Sequence, residues 1–179
     1  MKTKTPTVNT SPRFFLQLLF AAALMAVIAP ITAVADNLCV SANQDGSIFE
    51  YAPGGIQSTF VSYSANPNLL PRGLAFESNG NLFAAVSNFD HGGRSVNKFT
   101  PSSVQQTFGN APGILEGVAI DTIGDVFVIS QNFKSGPSAI LKFTAAGTRS
   151  VFASLPGQSF GLAFNSAGNL FVSELGFPP

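Results

Sequence analysis

The sequence predicts an all-β chain made of repeated four-stranded sheets, and three observations carry that prediction. Gly73-Leu74-Ala75-Phe76 recurs as Gly117-Val118-Ala119-Ile120 and as Gly161-Leu162-Ala163-Phe164, at an interval of 44 residues each time. A second motif keeps the same interval: Gly80-Asn81-Leu82-Phe83, Gly124-Asp125-Val126-Phe127 and Gly168-Asn169-Leu170-Phe171. No segment after residue 35 carries apolar residues at helical spacing. Four short strands in about 44 residues match the size of a β-propeller blade. The expected fold is therefore a β-propeller of four-stranded blades, present as a partial arc of about three. A parallel β-solenoid would use shorter rungs and would not need a glycine hairpin at one fixed position.

Residues 1–35 read as a secretory signal peptide. Lys2, Lys4 and Arg13 supply a basic start, Phe14 to Ala29 is apolar except for Gln17, and Pro30 ends the run. Ala33-Val34-Ala35 is a small-x-small cleavage pattern before Asp36. A retained anchor is the alternative, but the apolar run falls short of the roughly 20 residues a membrane span needs. Export to a periplasmic or extracellular compartment follows, with no membrane association after cleavage.

Removing that leader takes three basic residues and no acidic ones, so a formal net charge of zero becomes −3 for residues 36–179. Such a chain has no electrostatic reason to bind nucleic acid. One Cys and one His exclude an internal disulfide framework and a multi-histidine metal site. Cys39 falls in register with Phe83, Phe127 and Phe171 and reads as a small core residue.

Each unit divides into strands at fixed places. The first strand is the Gly-apolar-Ala-apolar segment, flanked by neighbouring blades. Leu74 and Phe76 should face one neighbour, while Gly73 and Ala75 let the other approach closely. The four residues before the second strand end in Gly, as a tight hairpin on a type I turn requires. The third strand ends in Lys98-Phe99-Thr100 or Lys142-Phe143-Thr144, with both lysines expected to face solvent, and the fourth holds Phe108 or Phe152. Residues 36–70 form a half-unit of three strands whose last connection is four residues longer than in later units. Complete blades are expected at about 71–114 and 115–158, and a two-stranded half-unit at 159–179. The 15 Phe residues of the mature chain are explained as packing. Phe89, Phe133 and Phe177, again 44 apart, are expected to fill gaps between blades.

Loops that lead into strand one and loops that join strands two and three should share one face, where a site would lie. The former place Arg72, Glu116 and Phe160 in register. The latter carry Asp90, His91 and Arg94 in the second unit and Asn132 in the third. Arg72, Glu116, Asp90, His91, Arg94 and Asn132 are the candidate ligand-binding residues. No catalytic residue and no metal ligand is assigned. Glu116 reads as a solvated rim carboxylate, and His91-Gly92-Gly93 as an exposed turn.

Gly-Leu-Ala-Phe-x-x-x-Gly-Asn-Leu-Phe followed by Lys-Phe-Thr resembles the repeat of NHL-type propellers and of the gluconolactonase and senescence-marker-protein-like superfamily. The resemblance runs over residues 36–179. It implies a ring of about six blades and, in the enzymes, a divalent cation held by carboxylates and an Asn near the inner-strand starts. Of the three register positions here only Glu116 could ligate a hard cation. The reading is thus an exported, non-catalytic binding or interaction scaffold, a piece of a longer propeller, with a protein or small molecule as partner and no cofactor. The alternative is a degenerate metal-dependent sugar-lactone hydrolase using a divalent cation such as Ca²⁺. The incomplete end units also predict self-association.

Overall fold

The structure is a computed structural model and describes residues 37–88, 94–132 and 138–175. The leader, Phe89, Asp90, His91, Phe133, Lys134 and Phe177 lie outside the described residues. Within them the chain is all strand and turn, with four antiparallel sheets in chain order. The first has three strands, β1 (Leu38–Ala42), β2 (Ser47–Tyr51) and β3 (Gln57–Ser62). The second has β4 (Leu69–Phe76), β5 (Leu82–Asn88), β6 (Arg94–Phe99) and β7 (Gln105–Asn110). The third has β8 (Ile114–Ile120), β9 (Val126–Gln131), β10 (Ser138–Phe143) and β11 (Arg149–Leu155), and the last has β12 (Gln158–Phe164) and β13 (Leu170–Leu175). Every pairing is between consecutive strands, the meander of a propeller blade.

The predicted hairpins are present. Gly80, Gly124 and Gly168 have φ of 87°, 87° and 81°. Each donates its amide to the carbonyl three residues back, at 2.9, 3.2 and 3.0 Å. That is a type I turn closed by a left-handed residue, which glycine adopts without a Cβ penalty. The turn sets the same register in all three units: Leu74 opposite Ala84, Val118 opposite Val128 and Leu162 opposite Val172.

The inner strands also approach as expected. A Cβ on Gly73 would lie 2.6 Å from the amide nitrogen of Val118, and one on Gly117 would lie 2.6 Å from the carbonyl oxygen of Phe160. Only glycine lets the backbones of adjacent blades come that close. Three apolar layers then fill the gaps between sheets. Ile48, Leu82, Ala84, Val86 and Phe99 pack between the first and second sheets, with Leu74 against them. Phe83, Val96, Leu115, Val118, Val128 and Phe143 fill the second gap, and Phe127, Ile129, Ile140 and Leu155 the third. All of β5 and all of β9 are buried, because each faces a neighbouring sheet on both sides. Ring pairs repeat with the blade: Phe83 meets Phe108 edge-on at 5.0 Å, and Phe127 meets Phe152 edge-on at 5.0 Å.

Several expectations need correction. The inner strands begin at Leu69, Ile114 and Gln158, one or two residues before the expected unit starts. Each carries an irregularity before its Gly-apolar-Ala-apolar segment or at its start. Phe76 does not pack on a neighbour as Leu74 does; it is 53% exposed at the strand's far end. Phe171 shares register with buried Phe83 and Phe127 but is 59% exposed, since no described sheet covers its face of β13. Lys98 and Lys142 do not simply face solvent. Each lies over the ring of its strand-two phenylalanine, at 5.0 Å from Phe83 and 5.4 Å from Phe127, and each is in an ion pair.

Candidate functional site

The starts of β4, β8 and β12 and the far ends of β5 and β9 fall on one face of the arc. There the structure brings Arg72 and Glu116 together: Arg72 Nη1 donates to Glu116 Oε1 at 2.5 Å. Glu116 is buried, so it is not the solvated rim carboxylate its register position suggested. The reason is geometric. Register positions one blade apart become neighbours when the inner strands pack backbone to backbone, and opposite charges at those positions neutralise each other. Phe160, the third residue of the register, is half exposed. Arg94 opens β6 on the same face, where its carbonyl accepts the Ala111 amide at 3.1 Å. Asn132 follows β9 and is exposed. Asp90 and His91 lie outside the described residues.

Beside the ion pair runs a set of polar ties between blades. Ser87 Oγ, at the end of β5, accepts the Leu115 amide at 3.0 Å and donates to the Leu115 carbonyl at 3.3 Å. One blade on, the side-chain amide of Gln131 donates to the Ser159 carbonyl. Ser41 Oγ donates to the Arg72 carbonyl at 2.6 Å between the first two sheets. Ser87 and Gln131 are 44 residues apart, and both are buried in otherwise apolar strands. A polar residue repeated at one place in an apolar strand was the signal that could have found them.

The opposite face carries an open recess of about 500 Å³ between the hairpin turns of the two complete blades. Phe76, Glu77, Ile120, Asp121 and Ile123 line it. Both carboxylates are engaged. Glu77 accepts from Asn81 at 2.9 Å and pairs with Lys98 at 3.0 Å, which holds its carboxyl below the usual range. Asp121 accepts the amides of Ile123 and Asp125 at 3.1 and 2.9 Å. In the next blade the acid partner has moved: Lys142 pairs with Asp125 at 2.6 Å, lowering the Asp125 carboxyl and raising the Lys142 ammonium. Cys39 is half-buried, and burial followed by the nearby Glu50 charge pushes its thiol up, away from a reactive thiolate.

A hard cation needs about six oxygen ligands. Among the described residues no three His, Cys, Asp or Glu side chains converge, and the Glu116 carboxylate is occupied by Arg72. Among the described residues, the inner-strand starts assemble no such ligand set.

No protein-family model and no curated protein matches the chain. Solved structures do. One described as a gluconolactonase aligns with a TM-score of 0.61 at 15% identity, over 77% of this chain and 53% of its own. A gluconolactonase of Xanthomonas campestris aligns with a TM-score of 0.55 at 21% identity, over 72% and 41%. PorZ, a surface component of the type-IX secretion system of Porphyromonas gingivalis, aligns with a TM-score of 0.57 at 19% identity, over 79% and 22%. The chain spans about half or less of the length of each. At these identities the likeness is one of fold, and the fold of this chain is that of a β-propeller, as a partial arc.

Proposed function

We propose that the chain is an exported, non-catalytic β-propeller module that serves as an interaction scaffold. The observation that supports the reading is the Arg72–Glu116 pair. At the inner-strand starts, where the resemblance implies metal ligands, a guanidinium takes up the one carboxylate of the register. A lactone carbonyl would find no Lewis acid assembled from these side chains, while Ser41, Ser87 and Gln131 tie blades together. The leader, with its Ala33-Val34-Ala35 pattern, supports export to a periplasmic or extracellular compartment.

One preparation tests both parts. Material recovered from the exported fraction should begin at Asp36, and it should show no saturable Ca²⁺ binding in calorimetry and no opening of a sugar lactone above the uncatalysed rate. Micromolar Ca²⁺ binding that disappears in Glu116→Gln would overturn the non-catalytic reading. A Met1 N-terminus would overturn export.

A further inference from the structure

Two large apolar side chains stand exposed in the recess between the hairpin turns of the two complete blades. Phe76, at the end of β4, is 53% exposed, and Ile123, in the turn between β8 and β9, is 74% exposed. They come from adjacent blades and, with Ile120, line one opening of about 500 Å³. Both walls belong to complete four-stranded sheets. The recess lies on the face opposite the Arg72–Glu116 pair, away from the inner-strand starts.

Charge in this recess is not balanced. The register places Glu77 in one turn and Asp121, 44 residues on, in the next. Lys98 pairs with Glu77, but its counterpart Lys142 pairs with Asp125. Among the described residues no lysine or arginine pairs with Asp121. Three carboxylates against two ammoniums leave a surplus of one negative charge. Glu77 uses Oε2 for both Asn81 and Lys98, and its Oε1 lies 3.6 Å from where a Cβ on Gly124 would stand, in the facing turn. Asp121 uses Oδ1 for the amides of Ile123 and Asp125. The turn does not need the charge. Asn165, at the same place one unit on, accepts the Ala167 and Asn169 amides through its Oδ1 at 3.0 and 2.9 Å. The Asp121 charge and its second oxygen are surplus to the fold.

We propose that the recess docks an arginine side chain from an extended segment of a partner protein, its guanidinium on Asp121 and Glu77 and its stem and apolar neighbours on Phe76 and Ile123. The chain already uses this chemistry twice. Lys98 pairs with Glu77 over the ring of Phe83, and Lys142 pairs with Asp125 over the ring of Phe127. Phe76 and Asp121 bring a third ring and a third carboxylate to the recess. Arginine suits it better than lysine, because a planar fork can serve two carboxylates at once and also stack on a phenyl face. Its methylene stem matches the apolar walls. A bare metal ion is a poorer occupant, since it needs about six oxygen ligands and no three acidic side chains converge among the described residues. A wholly apolar ligand would strip water from the Asp121 charge and give nothing back. This partner rests on the scaffold reading and gives it a chemical identity.

The test is a titration of the isotope-labelled full chain, followed by amide resonances, with a capped pentapeptide Gly-Leu-Arg-Leu-Gly. Saturable shifts are expected at the amides of Ser78, Thr122 and Gly124, with affinity falling as salt rises. Citrulline in place of the arginine keeps the shape and removes the charge, and it should weaken binding about tenfold or more. Asp121→Asn should weaken it about three- to tenfold while keeping the turn, as Asn165 does. Four results would overturn the proposal: no saturation at millimolar peptide, shifts confined to another surface, equal binding of the citrulline peptide, or an Asp121→Asn variant that binds unchanged. Butylguanidine binding as tightly as the peptide would make this a small-molecule site and overturn it too. So would a two-chain mass by light scattering that reverts to one chain in Ile123→Ser, because a second copy would then be the occupant. If Asp121→Asn fails to fold, the citrulline comparison on the unaltered chain decides alone. Loss of the peptide site leaves the Ca²⁺ and lactone measurements on the opposite face as they were, so the two readings fail separately.

Discussion

Charge on this protein is placed between blades and strands, and single residues show how. The Glu116 side chain is 9% exposed and the Arg72 side chain 22%, so the pair sits between a surface bridge and a buried one. Glu116→Ala removes the carboxylate that the half-buried Arg72 guanidinium is paired with, and denaturant unfolding should show a loss of about 1–3 kcal/mol. Arg72→Leu combined with Glu116→Leu should recover much of that loss, because two apolar residues carry no charge to desolvate. Acid should act through a second set. The Glu77 carboxyl is lowered by the Asn81 hydrogen bond and then by Lys98, and the Asp125 carboxyl by Lys142 and then the Ala145 amide. Depressed folded values mean stability that is present above the unfolded values, near 4, and that is lost as pH falls through the folded ones. The melting temperature should therefore drop between about pH 5 and pH 3, and less so in Glu77→Gln with Asp125→Asn. These pairings were only partly legible in the sequence. Lys98 and Lys142 recur 44 apart, but their acids stand at different places in the hairpin, Glu77 in one blade and Asp125 in the next. Opposite charges at Arg72 and Glu116 were visible; their contact needed the inner strands to be seen side by side.

At the level of elements, the glycines divide into two kinds. Gly168 holds a positive φ in open space, so Gly168→Ala meets strain alone, about 1–2 kcal/mol. Gly73 has an ordinary backbone but no room, its Cβ position lying against the backbone of β8. Gly73→Ala must push two inner strands apart and should lose about 1–3 kcal/mol or more, together with the edge-on contact of Phe83 and Phe108 in the layer behind. Thermal melts of the two variants, with near-ultraviolet dichroism to report the phenylalanine layer, separate these effects. Both kinds of glycine were legible because each recurs with the period. Strand lengths were less so. The apolar motif marks only the half of an inner strand that lies in the core. The residues before it, such as Leu69 paired with Asn88, reach past an irregularity to the polar face and carry no motif.

Across the whole molecule, the count of three, four, four and two strands could be read from the repeat because one period places every hairpin. What the repeat could not show was which apolar faces end up covered, since that depends on neighbours and not on register: Phe83, Phe127 and Phe171 share one position and are 1%, 3% and 59% exposed. The ties between sheets share a further property. Ser87 reaches 28 residues ahead to Leu115, and Gln131 reaches 28 ahead to Ser159; each joins one sheet only to the next. Linkage of that kind makes stability a sum over adjacent units, so a sheet with a described neighbour on one face only should open before the two that lie between others. Amide hydrogen exchange reads this directly. The amides of β5 and β9 should exchange slowest, at rates set by global opening, and those of β13 fastest, through local fraying. Uniform protection along the chain would mean that the sheets open as one. A gradient instead makes β13 the first strand to leave, so a proteolytic cut there should spare the two central blades.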